Sequence, residues 1–457
     1  MRWRASALAI AAGLAVVPGT ATAWEPETTH AGLAEQAALA SRLHRRLVTL
    51  GFTGGVFEPL TIPPADAPTL MASVKLLSPS HGSVPDARGR QVALAWLTAG
   101  AALADIPSSH GANHFYDPAT KRGWQAPDRG IIAGLTDKVR EAVGRASLPD
   151  RGIPAPDWVV DKTNPFNLDA FMTQYAKAVS ARTPGERSRH MAAALIAAGA
   201  ILHTLGDLGA PSRVRGDEAA HLEPLGAGPD DLGSRFERLA ALAHGRLGVP
   251  APSRKITRTR LREFFTASDG SGLADLIART YFSPNTLPKR TRSDEQPRLV
   301  RPQPALPRLN LMAASREEGT SLRDVKGMCL ARYRVDHGML GFSLDDECIL
   351  EQIAAILPEV ASYEAGLLDF LLRGELTIAV TDSVVVTGKG LGAGTIDVLV
   401  EDDRGVRTSL GTASSKGGAQ LAQVGAPSAG VRVVAVFRGT DAAGEPIVAV
   451  GAMPLGR

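Results

Sequence analysis

The spacing of apolar residues changes once along this chain of 457 residues, and that change limits its fold more than any other feature. Up to about residue 372, apolar side chains recur every three to four positions, as they do on the buried face of an amphipathic helix. The segments with this spacing are 31–50, 84–104, 168–181, 187–208, 232–247, 273–281 and 347–372. They are rich in alanine and leucine, so the sequence predicts a mainly α fold in which these helices form a bundle.

After residue 374 apolar residues alternate with polar ones, and this period of two is typical of half-buried strands. The predicted strands are 376–380, 384–387, 395–400, 431–437 and 447–450, separated by Gly, Asp and Ser turns. We therefore predict a helical domain over residues 24–374, followed by a small all-β, sandwich-like domain over residues 375–457.

The first 23 residues have the layout of a signal peptide. Two arginines precede an apolar stretch over 5–17, and alanines at positions 21 and 23 provide the small residues of a cleavage site. Cleavage after Ala23 predicts a secreted or periplasmic protein whose mature N-terminus is Trp24. No apolar run after the leader is predicted to be long and uninterrupted enough to span a bilayer.

Charge and cysteine content narrow the class of protein. Removal of the leader deletes Arg2 and Arg4 and no acidic residue, so the formal net charge of +3 becomes +1. A nearly neutral chain has no general attraction to nucleic acid or to an anionic membrane. The two cysteines, Cys329 and Cys348, are predicted to form a disulfide in an oxidising compartment, and a metal-thiolate pair is less favoured.

Residues that can bind a metal occur at the mature N-terminus and after two helical segments. The free amine and the carbonyl of Trp24, together with His30, can hold a cation. Asp105 ends one helical segment and is followed by His114, whereas His203 and Asp207 are four residues apart and share one helix face. A buried Asp on an apolar helix is costly without a cation or a hydrogen-bonded partner. Taken singly, these residues are also compatible with structural histidines and a helix cap.

In combination, these motifs resemble those of the bacterial zinc-dependent phospholipases C, whose fold is shared by the fungal single-strand-specific zinc nucleases. The residues that carry the resemblance are Trp24, His30, Asp105, the string His114-Phe115-Tyr116-Asp117-Pro118, His203 and Asp207. The resemblance implies a zinc-binding multi-helix bundle. Members of the alpha-toxin type also carry a C-terminal β-sandwich that helps them reach membranes.

The resemblance also implies roles for individual residues. Trp24 and His30 would hold one zinc, Asp105, His114 and His203 a second zinc, and Asp207 would bridge the two metals. The reaction would be hydrolysis of a phosphodiester by metal-activated water, with Asp105 also acting as general base. Glu237 would be the acidic ligand of a third zinc.

The sequence departs from the family pattern at this third zinc. Arg213 occupies a position where the family has a histidine, and Gly233 occupies the histidine position that precedes Glu237. His221 offers a replacement ligand if the loop rearranges. Alternatively, the guanidinium of Arg213 can bind phosphate oxygens and replace part of the charge of a cation. Two zincs are therefore expected, and the third site stays in doubt.

Three functions remain open on the sequence alone. The first is a phospholipase C-like hydrolase, the second a single-strand nuclease of the same fold, and the third a catalytically impaired exported protein that binds a partner. The low aromatic content of 5% and the nearly neutral charge favour a phospholipid or another small phosphodiester over nucleic acid. The β domain is a candidate for peripheral membrane contact, and the absence of an evident oligomerisation signal predicts a monomer.

Overall fold

The computed structural model of the protein describes residues 26–75, 77, 84–126, 149–225, 232–418 and 420–455. The predicted signal peptide and Trp24 lie outside the described residues. A π-helix over Pro26–His30 is the first described element. The α-helices that follow are α1 (Ala31–Ala40), α2 (Leu43–Leu50), α3 (Pro68–Val74), α4 (Ala93–Leu103), α5 (Ala155–Trp158), α6 (Leu168–Ser180), α7 (Pro184–Gly206), α8 (Pro211–Val214), α9 (Arg235–Ala243), α10 (Arg262–Phe265), α11 (Leu273–Thr280), α12 (Leu311–Ala314) and α13 (Asp346–Leu371).

The predicted mainly α fold with a C-terminal β region is confirmed, although several boundaries differ. The segment 31–50 forms two helices, because the backbone becomes extended at Ser41. The segment 84–104 becomes helical only at Ala93, because the strand Arg90–Val92 (β2) pairs with Pro59–Thr61 (β1). The helix predicted over 232–247 begins at Arg235, where the side chain of Ser234 caps it by accepting from the Glu237 amide.

Helix α7 lies at the centre of the helical region. It begins with a capping box between Thr183 and Glu186 and has a proline at its first position, both of which favour helix initiation. A Cβ atom at Gly199 of α7 would lie 2.0 Å from the backbone oxygen of Leu97 in α4. The backbones of α4 and α7 therefore touch, and this close approach positions the chain segments that follow both helices.

The stretch Pro184–Gly209 is long and apolar enough to cross a membrane by length and composition. The prediction that no such segment follows the leader is therefore wrong on those two criteria. However, 94% of the most apolar part of this stretch is buried inside the protein. Its apolar composition is that of a core helix surrounded by other helices.

A four-stranded antiparallel sheet interrupts the helical region. It is ordered β5 (Thr291–Arg292), β8 (Met339–Ser343), β7 (Cys329–Asp336) and β6 (Thr320–Arg323), whereas Glu223–Pro224 (β3) and Leu232–Gly233 (β4) form a separate small ribbon. The region predicted as a helical domain, residues 24–374, therefore also contains strands. The predicted disulfide is confirmed, since Cys329 in β7 is bonded to Cys348 in α13. It links the sheet covalently to the long closing helix.

The C-terminal part consists of two antiparallel sheets. The first is ordered β13–β10–β9 and the second β12–β11–β14–β15. Their strands are β9 (Leu376–Val380), β10 (Ser383–Gly388), β11 (Leu391–Glu401), β12 (Arg407–Ser415), β13 (Gln420–Gly425), β14 (Arg432–Asp441) and β15 (Pro446–Pro454). Apolar side chains from both sheets share one core, which gives the predicted sandwich.

The sandwich is packed directly onto the helices. The face of the second sheet that points away from the first contributes Leu399, Val434, Val436, Val448 and Val450 to the main hydrophobic core. Arg407 extends this contact by donating to the carbonyl of Val179 in α6 and to Glu401. The β region therefore buries apolar surface on two sides.

Candidate metal centre

Two of the predicted ligands follow α4. Asp105 lies two residues beyond the end of that helix, and His114 ends a 3₁₀ helix over Ser108–His114. The Nδ1 atom of His114 lies 3.2 Å from Oδ1 of Asp105. The next residue, Phe115, packs edge-on against the buried ring of Trp124 and holds this turn in place.

Two more predicted ligands lie at the end of α7. Because His203 and Asp207 are separated by four residues, their side chains leave the helix on the same face, with Nε2 and Oδ2 3.2 Å apart. His203 Nε2 also lies 3.3 Å from Asp105 Oδ2. His114 Nδ1 lies 2.7 Å from the same Oδ2 atom of Asp207. These four residues, here called the Asp–His cluster, can each place one ligand atom within 4.8 Å of the others.

His30 approaches the cluster from the N-terminal side. Its Nε2 atom lies 3.0 Å from Oδ1 of Asp207, and its ring stacks on that of His203 with centroids 3.6 Å apart. Asp207 thus presents one carboxylate oxygen to the Asp–His cluster and the other to His30. This is the arrangement expected of a carboxylate that serves two neighbouring sites.

Of the four close contacts within the cluster, only that between His114 Nδ1 and Asp207 Oδ2 is a hydrogen bond. Neither carboxylate oxygen of Asp105 has a hydrogen-bond partner, and the same is true of both ring nitrogens of His203. All of these atoms are buried, where an unpaired polar atom is costly. Buried oxygen and nitrogen atoms that converge while most of them lack a hydrogen-bond partner are a ligand set for a divalent cation such as zinc. The described residues therefore fit a metal.

The electrostatics of the metal-free cluster are those of an incompletely neutralised site. Burial disfavours the imidazolium, yet Asp105 and Asp207 raise the pKa of His203 to about 10. Burial and the neighbouring His203 lower the pKa of His30 to about 4. Burial also opposes ionisation of Asp207, but Arg213, His203 and His30 hold its pKa well below the usual range. Without metal, a proton on His203 supplies the positive charge between two carboxylates.

Arg213 and Glu237 form a buried ion pair beside the cluster. Arg213 Nε donates to Oε1 of Glu237 at 3.0 Å, and its Nη1 lies 3.5 Å from Oδ2 of Asp207. The guanidinium also sits 4.6 Å from the centroid of the Phe115 ring. His221 Nδ1 lies 3.6 Å from the same Glu237 oxygen. We call Arg213, His221 and Glu237 the arginine corner.

The arginine corner consists of residues that the sequence assigned to the third zinc, with Glu237 as its acidic ligand and His221 as a replacement ligand. Glu237 contacts Arg213 and His221, and it is not among the residues that form the Asp–His cluster. A Cβ atom at Gly233 would meet the side chain of Leu225 at 2.7 Å. The amine and carbonyl of Trp24 lie outside the described residues, so their role stays a prediction.

Sequence analysis missed Glu364 in α13. Its carboxylate is 1% exposed, neither oxygen has a hydrogen-bond partner, and burial raises its pKa well above the usual range. The signal was present, because Glu364 interrupts the apolar stripe formed by Ile353, Leu357, Val360, Leu367 and Leu371. A lone acid within such a stripe indicates a buried carboxylate.

No family model and no curated protein matches the chain. The solved structure of alpha toxin from Clostridium absonum matches with a TM-score of 0.30 and 11% identity, over 95% of this chain and 96% of that one. Alpha-toxin of Clostridium perfringens from the avian strain SWCP matches with a TM-score of 0.30 and 12% identity, over 95% and 99% of the two chains. Similarity at this level establishes no family membership.

Proposed function

We propose that the protein is an exported zinc-dependent phosphodiester hydrolase of the phospholipase C type, processed after Ala23. The observation that carries this proposal is the Asp–His cluster, in which buried ligand atoms converge and those of Asp105 and His203 have no hydrogen-bond partner. The position of His30 on the other oxygen of Asp207 supports a second cation next to the first. Phospholipids and other small phosphodiesters are the proposed substrates.

The residues would divide the chemistry as follows. Zinc bound at the cluster would lower the pKa of a water molecule and neutralise charge on phosphate oxygens. Asp105 would orient that water and accept its proton, since it is the most exposed member of the cluster, at 7%. Through its two carboxylate oxygens, Asp207 would hold the imidazole rings of His30, His114 and His203 in position.

Arg213 would replace the charge of the third cation. Its guanidinium lies between the carboxylates of Asp207 and Glu237, which raise its pKa against the effect of burial, so it remains positively charged. Because these carboxylates already engage the side chain, we assign Arg213 the role of a fixed positive charge at the edge of the site. Direct contact with substrate phosphate would require Arg213 to leave one of the two acids.

A second candidate function is that of an exported binding protein with a metal-stabilised scaffold. The observation that favours it is the burial of the cluster, since His114 and Asp207 are fully buried and His203 is 1% exposed. A structural metal site is typically closed, whereas a catalytic site keeps one position open. A nuclease of the same fold is the third candidate and differs from the first in substrate.

The decisive experiment is turnover by the zinc-loaded mature chain beginning at Trp24. We expect hydrolysis of p-nitrophenyl phosphorylcholine to exceed that of single-stranded DNA, and Asp105→Asn to reduce it roughly 10²-fold or more. Asp382→Asn, at an exposed site between β9 and β10, is the matched control. Zinc binding without turnover of any phosphodiester would favour the binding protein, and preferential cleavage of DNA would favour the nuclease.

A further inference from the structure

The Glu364 carboxylate is the feature that the proposed function leaves unexplained. Among buried carboxylates in the described part of the chain, Asp105 and Glu364 share one property, which is that neither oxygen has a hydrogen-bond partner. In Asp105 this property is explained by the cluster. Glu364 comes from a different element, the closing helix α13, and needs its own explanation.

Gly206 shows what Glu364 faces. A Cβ atom at Gly206 would lie 2.5 Å from Oε1 of Glu364 and 3.4 Å from Nδ1 of His30. The two atoms therefore border the same small space, which exists because residue 206 has no side chain. His30 Nδ1 also lacks a hydrogen-bond partner, and His30 and Glu364 are each 1% exposed.

The other side of the His30 ring is already engaged. Its Nε2 atom bonds to Oδ1 of Asp207 at 3.0 Å. A histidine that ligates a metal through one nitrogen commonly donates from the other to a carboxylate, which fixes the tautomer and the ring orientation. With Asp207 on Nε2, the nitrogen left for a cation is Nδ1, and the unpartnered carboxylate of Glu364 borders the same space.

We propose that His30 and Glu364 bind one divalent cation together, through Nδ1 and Oε1 respectively. An imidazole nitrogen and a carboxylate oxygen are normal zinc ligands. This inference rests on the cation of the proposed function and moves the N-terminal site towards α13. Asp207 then orients His30 and does not bind the second cation directly. Glu364 would then be a zinc ligand that the resemblance to the phospholipases C does not imply.

The test measures zinc binding by the full mature chain, with zinc content and competition against a chelator as readouts. Glu364→Gln keeps the shape of the side chain and removes its charge. We expect one zinc to bind about tenfold or more weakly in this variant and the other zinc to bind as in the wild type. Glu347→Gln, at an exposed position in the first turn of the same helix, should leave both affinities unchanged. Unchanged zinc binding in Glu364→Gln would overturn the inference.

A second variant protects the test against a folding defect. Glu364→Leu removes a buried carboxyl without a partner, so the melting temperature of the metal-free protein should rise, whereas the gain on adding zinc should shrink. A fall in metal-free stability with an unchanged zinc-induced gain would mean a purely structural residue. Absence of phosphodiesterase activity with Glu364-dependent zinc binding would refute the proposed function alone. Activity with zinc binding that does not depend on Glu364 would refute this inference alone, and no zinc binding at all would refute both.

Discussion

The Asp–His cluster and the arginine corner meet at Asp207 but satisfy their charges in different ways. In the cluster, Asp105 and His203 approach within 3.3 Å and have no hydrogen bond between them. In the corner, Arg213 donates to Glu237 at 3.0 Å, and Ser212 and His221 bond to each other at 2.8 Å. Both regions are buried, so burial alone does not distinguish them.

The difference lies in where positive charge comes from. In the arginine corner the positive charge is the guanidinium of Arg213, which pairs directly with the carboxylate of Glu237. The cluster carries two acids and two histidines, which leaves space and lone pairs for a cation from solution. Unsatisfied buried atoms are therefore a better indication of a metal site in this protein than the presence of His, Asp and Glu.

The largest expected effect is that of Asp207→Asn, because this residue touches both regions. The change leaves His203 and Arg213 facing a neutral amide, and loss of one partner of a buried charged pair typically costs about 3–5 kcal/mol. We expect loss of zinc together with a marked fall in melting temperature. Asp382→Asn should change neither, and similar behaviour of the two variants would make Asp207 an ordinary structural residue.

The next effect separates the N-terminal site from the cluster. A chain extended to begin Met-Ala-Trp24 has no free amine at Trp24, so it should bind about one zinc fewer than the mature chain. Intact mass confirms the N-terminus and metal analysis gives the stoichiometry. If the extended and mature chains bind equal zinc with equal stability, the amine is not a ligand.

Arg213→His tests whether the arginine corner can be converted into a metal site. The substitution removes the built-in cation and places an imidazole near Glu237 and His221, so zinc content should rise by about one per chain. Arg213→Ala removes the same charge without adding a ligand and should show no gain. Adding His221→Ala to Arg213→His should abolish the gain, and a gain that survives it would place the new zinc elsewhere.

The smallest expected effect is a difference in pH dependence. The folded-state pKa of His203 is raised to about 10, so in metal-free protein its stabilising contribution is complete below about pH 6.5 and is lost as pH rises towards 10. Zinc requires neutral His203, so the loaded protein should lack this loss, and zinc affinity should rise with pH. Denaturant midpoints across this pH range, with His203→Gln as control, measure the effect. A metal-free protein without the slope would contradict a protonated His203.

Several features followed from local sequence patterns. Helical periodicity predicted the segments that became α6, α7 and α13, and the spacing of His203 and Asp207 placed them on one helix face. Alternation predicted β9 at its observed bounds. Strands β12 and β13 were missed because their sequences are polar and glycine-containing. Strands β5 and β6, of two and four residues, are too short to give a clear period, whereas β7 and β8 were missed although they are at least as long as β9.

The sequence by itself determined the longer helices, five of the C-terminal strands, the disulfide partners and the residue types capable of holding a metal, because these depend on periodicity, compartment chemistry and near neighbours. Only the tertiary structure decided which contacts those residues make. It paired Glu237 with Arg213, brought His221 to the same carboxylate, and placed Glu364 opposite His30 across Gly206. Along the chain, Arg213 and Glu237 are 24 residues apart, His221 and Glu237 are 16 apart, and His30 and Glu364 are 334 apart. Their geometry is set by the packing of α7, α9 and α13 around a shared core, which no local pattern encodes.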